Sequence, residues 1–493
     1  MSMVEGREVT ASRGVIATGP VDAARAGGRI FDRGGNAMDA AAAACLACTV
    51  LEPQAVDLGG YVAAGVVLEG ATGKVWSIDS NSVSPAAAHA NMYEVLPPVP
   101  GKIGINELEY GCSVREDANV YGPLSVGVPG FVGGVGTLWE RWGRLAWADV
   151  VAPARELLAS GLSYELVRDA VVRKREAIAR FPSTAKALRE DVWPGHELDY
   201  TLERLAMAGW RYFYDGVLGR KIGDFVKAQG GLLTRTDMAS FAPRVTEPCT
   251  GHYGGSIVHT AIAPNGGFSV LEALQDLTLC DESVEYWERL ASVLRTTWRR
   301  RLGADGAGAS PHGTVHVASA DSEGNLVSMT ISQGAMFGSC LAVPGTGIIL
   351  GHGMCRFDPH SNSSNAPGPR KRPLNNVCPL IIRMPDRDVA IGARGGRRIV
   401  SVATQMAQRI VDRGATPYEA AAAPRIHVLT GEPIEISANF DPAIRAELEA
   451  RGHRIEVPEE VAGAAHGAEC RRPPGLRFAR ELIAGGNTWA VGV

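Results

Sequence analysis

The sequence predicts an α+β protein on three observations: two stretches that alternate like hairpins, an alanine-rich run with the composition of a buried helix, and long regions of helical spacing. The first hairpin begins Gly313-Thr314-Val315-His316-Val317-Ala318-Ser319-Ala320, breaks at Asp321-Ser322-Glu323-Gly324-Asn325, and returns as Leu326-Val327-Ser328-Met329-Thr330-Ile331-Ser332. Thr314 opens one strand and Ser332 lies near the end of the other, so pairing brings two hydroxyls close together. The second hairpin joins residues 61–68 to 74–79 around Ala71-Thr72-Gly73. The helix follows Gly34-Gly35, takes Asn36 as its N-cap and ends before Glu52-Pro53. Cys45 and Cys48 lie inside it as a C-x-x-C without a second ligand pair, which reads as core packing. Residues 140–230 and 280–310 carry helical spacing with charged faces and, taken alone, say only that helices pack there.

At 493 residues, 45% hydrophobic and 21% charged, the chain has room for a large core and for more than one domain. A net charge of −4 without a long block of one sign implies neither a nucleic-acid partner nor an anionic membrane. The N-terminus lacks the apolar core of a signal peptide and no apolar run is long enough to span a bilayer, so the cytoplasm is the default location. Nine cysteines, an odd count without a disulfide framework, suit a reducing compartment. His312, His316, His352 and His360 lack a metal-ligand spacing, and no cofactor is expected.

The chemistry in the first hairpin depends on the Gly313–Thr314 bond. A threonine hydroxyl is a weak nucleophile until a base takes its proton, and an N-terminal threonine supplies that base from its own α-amine. Cutting before Thr314 therefore creates the catalyst. Glycine before it lacks a Cβ and leaves its carbonyl open to the neighbouring hydroxyl. On this window alone an ordinary hairpin is the simpler reading, since threonine favours strands.

The order of segments resembles the gamma-glutamyltranspeptidase family. The matching run is Gly34-Gly35-Asn36-Ala37-Met38-Asp39-Ala40-Ala41, Glu52-Pro53, Gly59-Gly60, Thr72-Gly73-Lys74, Ser84-Pro85-Ala86-Ala87-Ala88 and Leu124-Ser125-Val126-Gly127-Val128-Pro129-Gly130. Gly231-Leu232-Leu233-Thr234 with Asp237 follows, then Ala263-Pro264-Asn265-Gly266-Gly267. The match is densest from Thr314 to Asn325 and continues through Phe337-Gly338, residues 344–350, Lys371-Arg372-Pro373-Leu374, Pro379, Gly392, Gly395-Gly396, Ile399 and Ala423-Pro424-Arg425. The resemblance implies a four-layer αββα N-terminal nucleophile hydrolase sandwich. It also implies one folded unit, 1–493, that self-cleaves into a large fragment, 1–313, and a small one, 314–493.

By the same resemblance Thr314 is nucleophile and, once freed, base; Ser332 stands where the family has a threonine touching the nucleophile. Gly395-Gly396 matches the glycine pair whose N–H groups hold the oxyanion, and also reads as a simple turn. The substrate positions depart from the pattern. Asn81 replaces an arginine that holds a glutamyl α-carboxylate, Asn375-Asn376 replaces a serine pair, and Val377 replaces a methionine. Arg356 stands where an acid binds the substrate α-amine and Gly353 where a glutamine precedes that acid; ungapped counting from Thr314 puts Gly334 at the position of an asparagine ligand. An arginine in place of an acid reverses the charge wanted there, which favours an acyl group with a carboxylate and no amine. Arg356, with Arg394 or Arg397, is the candidate carboxylate fork; each also reads as a solvated surface residue. The loop 352–372 is expected at the surface near the site.

The expected activity is self-processing followed by hydrolysis of a small carboxylate-bearing, non-glutamyl amide, oxamate-like or otherwise, through an acyl-enzyme. True gamma-glutamyl transfer or glutathione hydrolysis, a related biosynthetic use of the same threonine, and a non-catalytic homologue are the alternatives. The expected partner is a small-molecule amide, with no nucleic acid and no membrane; the oligomeric state is left open.

Overall fold

The alternating stretches join one extended sheet that folds over on itself. A computed structural model describes residues 3–97, 110, 112–161, 165–188, 195–277, 279–302, 313–458, 463–472 and 481–493. From one edge the strands run Arg244–Thr246, Val75–Asn81, Val62–Leu68, Leu326–Ser332, Thr314–Asp321, Gly14–Thr18, Glu481–Gly492, Ala465–Arg471, Arg387–Ala393, Leu380–Arg383, Ser256–Thr260 and Cys249–Tyr253. Val4–Ala11 pairs beside Glu481–Gly492 as the thirteenth. Both predicted hairpins form, and Thr314 is the first residue of its strand.

The two halves of this sheet lie face to face. Ser328 Oγ in one half donates to the Ile391 carbonyl in the other at 2.8 Å. The His316 ring lies so close to Gly392 that an added Cβ there would come within 2.3 Å of it. Helices Val21–Asp32, Ala37–Leu51 and Phe131–Trp142 cover the first half; Gly267–Gln275, Arg398–Arg413 and Pro417–Ala422 cover the second. Helix, sheet, sheet, helix is the expected αββα order.

The alanine-rich helix shows why sequence dictates this packing. Asn36 accepts the N–H groups of Met38 and Asp39, and Asp39 accepts that of Asn36, closing a reciprocal cap. Ala37 to Val50 is buried all round, which small side chains with high helix propensity permit against both sheet and helices. Cys45 and Cys48 are fully buried free thiols, both pushed up by burial, as core packing requires. Of the helical spacing expected over 280–310, Val284–Leu302 is helix, and residues 303–310 and His312 lie outside the described residues. Among the described residues no helix is long and apolar enough to cross a membrane.

One expectation is corrected. Within 352–372, the turn Gly353–Arg356 is buried and only later residues such as His360 and Ser361 reach the surface. Met354 and Phe357 enter an apolar cluster with Ala88, Tyr93 and Val114, which pulls the start of the loop inward.

Between the sheets, one end is apolar, with Val66, Ala318, Ala320, Leu326, Ile381 and Ala390. The other end holds buried Thr314, His316, Ser328, Thr330 and Ser332. Buried polar groups must find partners, so this end is organised by hydrogen bonds.

Candidate active site

Strand register builds the site. Thr314 lies opposite Ser332, Ser332 opposite Val62, and Val62 opposite Asn81, so four residues form one row across four strands. Residues opposite one another share a face of the sheet. Thr314 Oγ1 is 3.0 Å from Ser332 Oγ. Ser332 Oγ donates to the Gly313 carbonyl at 2.5 Å and accepts the Gly334 N–H at 3.0 Å. A hydroxyl has one proton. With Ser332's proton on Gly313, the Thr314 hydroxyl must be the donor to Ser332 Oγ.

The Gly313 carbonyl, at the expected cut, has a second donor in the Gln333 N–H at 3.1 Å, an N–H shared with the Ala55 carbonyl at 3.0 Å. Two donors on one carbonyl oxygen are positioned to hold the negative charge that attack on its carbon develops. Gly313 has no room for a side chain: a Cβ would lie 2.9 Å from the carbonyl carbon of Ala335 and from the Gly334 oxygen. These are backbone atoms that cannot step aside.

His316 donates or accepts at Nδ1 with Thr330 Oγ1, 2.9 Å away, and burial pushes its pKa down to about 3. It is a neutral ring on the Thr314–Asp321 strand, packed between the sheets against Gly392. Beyond Gly392, Gly395 and Gly396 adopt φ of +132° and +60°, which glycine alone takes at little cost. They open the helix Arg398–Arg413, and among the described residues neither N–H has an acceptor. Two such donors at a helix N-terminus, where the peptide dipoles leave partial positive charge, suit an oxyanion. Arg394, just before them, contacts Glu52 at 3.4 Å with its side chain 38% exposed. Burial raises the Glu52 carboxyl, and Arg394 opposes that rise.

The remaining predicted positions fall into two groups. Arg356 is 5% exposed and its guanidinium lies 5.2 Å from the Tyr61 ring centre; the Tyr61 hydroxyl donates to Asn375 Oδ1 at 3.0 Å. Arg356, Tyr61 and Asn375 thus adjoin, and Tyr61 immediately precedes the strand that pairs with Ser332. Asn81 is buried and donates to the Pro373 carbonyl at 2.9 Å, and its Oδ1 has no partner among the described residues. By contrast, Asn376 is buried with its main chain against Gly266, and Arg397 is buried 6.0 Å from the Trp298 ring. Sequence reasoning missed Tyr61 and the Gln333 N–H. A main-chain donor has no residue signature, and the tyrosine's part appears only once 314 positions of separation are closed.

A nucleophile-type hydroxyl heading an inner strand of an αββα sandwich defines the N-terminal nucleophile hydrolase class. Within it the chain belongs to the gamma-glutamyltranspeptidase family: the family model described as Gamma-glutamyltranspeptidase matches residues 23–309 and 295–479. It is therefore an N-terminal nucleophile amide hydrolase. It is similar to the acylase ACY 1 proenzyme of Pseudomonas sp. (strain SE83), 29% identical over 98% of this chain and 96% of that one. It is similar to the glutathione hydrolase proenzyme of Bacillus subtilis subsp. natto, 24% identical over 97% and 91%. Among solved structures, cephalosporin acylase from Bacillus halodurans matches with a TM-score of 0.82, 26% identity and coverage of 99% and 97%.

Proposed function

We propose that this protein is a self-processing threonine acylase for a small amide whose acyl group ends in a carboxylate. Thr314 Oγ1 gives its proton toward Ser332 and attacks the Gly313 carbonyl carbon. The Oγ–C bond forms, the C–N bond breaks with a proton to nitrogen, and water hydrolyses the resulting ester. The freed α-amine then takes the Thr314 proton as Oγ1 attacks the substrate carbonyl, with Gly395 and Gly396 on the oxyanion, and returns it to the leaving nitrogen as the amide C–N bond breaks. Water releases the acyl group.

The observation that carries the substrate class is buried Arg356 beside Tyr61 and Asn375. A guanidinium has five N–H donors and no acceptor, so Arg356 suits an acyl carboxylate and offers a glutamyl ammonium nothing to bond to; a charge-assisted bond contributes about 1.5–3 kcal/mol. Two of the similar proteins are acylases by name, which supports the same class. The test is intact mass followed by turnover of glutathione, oxamate and a glutaryl amide. Fragments meeting at Gly313/Thr314 and hydrolysis of oxamate or the glutaryl amide are expected. Efficient turnover of glutathione alone refutes the charge argument and leaves gamma-glutamyl hydrolysis, the activity in the name of the Bacillus relative.

A further inference from the structure

His352 stands in the space that a side chain at position 334 would fill. A Cβ built on Gly334 would lie 2.2 Å from both Cδ2 and Nε2 of His352. Gly334 has φ +102° and gives its N–H to Ser332, the residue bonded to Thr314. The imidazole is therefore packed over the main chain that holds the nucleophile's partner. Its Nδ1 is 3.2 Å from the Val120 carbonyl oxygen. A carbonyl only accepts, so Nδ1 has the proton and Nε2 presents a lone pair. That Nε2 is buried and has no partner among the described residues. Arg356 lies four residues on in the same buried turn and acts on the ring electrostatically.

We propose that His352 is a specificity-determining residue whose Nε2 accepts a hydrogen bond from a hydroxyl or N–H on the substrate's acyl group, close to the carbonyl under attack. This rests on the acylase function and narrows it. The preferred substrates then have two marks: a carboxylate for Arg356 and a neutral hydrogen-bond donor for His352. A guanidinium beside the ring offers an ammonium no acceptor, so the donor that suits both residues is uncharged. A site built to accept a hydrogen bond discriminates against an analogue without the donor, because its own acceptor is left buried and unpaired.

The test compares glutaryl p-nitroanilide with its analogue hydroxylated on the carbon next to the amide carbonyl, read as the ratio of kcat/KM. The wild type is expected to favour the hydroxylated substrate by roughly 10-fold. His352→Phe, which fills the space without an acceptor, brings the ratio near one. His352→Gln, which offers Val120 a donor and the substrate an acceptor, restores it. A wild-type ratio near one overturns the inference while leaving the acylase function intact, and needs no variant to fold. A Phe variant that keeps the wild-type ratio also overturns it. A wild type that neither cuts itself nor hydrolyses either anilide refutes both proposals.

Discussion

Ser332→Ala separates the proposed self-cleavage from a merely well-packed hairpin. The Ser332 hydroxyl makes three contacts: 2.5 Å to the Gly313 carbonyl, 3.0 Å to Thr314 Oγ1 and 3.0 Å from the Gly334 N–H. Alanine removes one of two donors on the carbonyl under attack, and losing one oxyanion donor costs about 10²- to 10³-fold in rate. It also removes the acceptor of the Thr314 proton before any free amine exists, a contribution of about 10²-fold or more. Self-cleavage should therefore slow by at least about 100-fold. The fold pays separately, because the Gly334 N–H is left buried and unpaired at about 1–3 kcal/mol. The assay is a time course of intact mass on freshly purified protein, with circular dichroism to verify folding. Ser332→Thr, which keeps the hydroxyl, should process. A folded Ser332→Ala protein that is cut as fully and as fast as the wild type, within threefold, refutes the assigned proton path.

Gly313→Ala should also stall the cut, since its Cβ meets backbone at 2.9 Å and must displace the carbonyl from Ser332 and Gln333; intact mass reads this directly. Arg356→Gln should lower kcat/KM for a carboxylate-bearing anilide by about 10- to 150-fold, the equivalent of one charged hydrogen bond, and change an uncharged butyryl anilide far less. Asp57 gives a pH test. Burial pushes its carboxyl up to about 8 from 3.8, while Oδ1 accepts the N–H groups of Gly59 and Ile349. The folded state keeps a proton that the unfolded chain releases, so this stabilising contribution is complete below pH 3.8 and is lost as pH rises through 8. Asp57→Asn should therefore gain Tm relative to wild type progressively from pH 4 to 8; a difference constant with pH would contradict the neutral acid.

What was legible in the sequence follows from which contacts are local. Thr314 and Ser332 could be paired from the text because a tight turn at 321–325 fixes the register, and alternation then assigns both to one face. The Asn36 cap was legible for the same reason, being closed within three residues. The buried turn Gly353–Arg356 was not. The composition of 352–372 is dominated by the Ser, Asn, Pro and Gly of its later part, and the distant Ala88, Tyr93 and Val114 draw its first residues inward. Arg356 illustrates the limit: its identity suggested a carboxylate fork, but its burial on the Tyr61 ring required the folded chain.

The departures from the glutamyl-binding pattern are also physically linked. At Gly353, where the resemblance places a glutamine, a Cβ would lie 2.2 Å from Ser82 Oγ and 2.6 Å from Ser82 Cβ. Ser82 cannot swing away cheaply, because its Oγ donates to the Val128 carbonyl at 2.9 Å. At Gly334, where the resemblance places an asparagine, His352 already fills the space. At these two positions the missing ligand is thus excluded by a neighbour, and restoring either alone should destabilise the fold without restoring glutamyl recognition. Gly353→Gln should cost about 1–3 kcal/mol by overpacking, visible as a lowered Tm, and should gain no turnover of gamma-glutamyl p-nitroanilide. Adding Ser82→Gly removes the two overlapping atoms and should recover part of the lost Tm. If Gly353→Gln alone melted like wild type and hydrolysed the glutamyl anilide, the pocket would be plastic, and the steric coupling of these positions would be wrong.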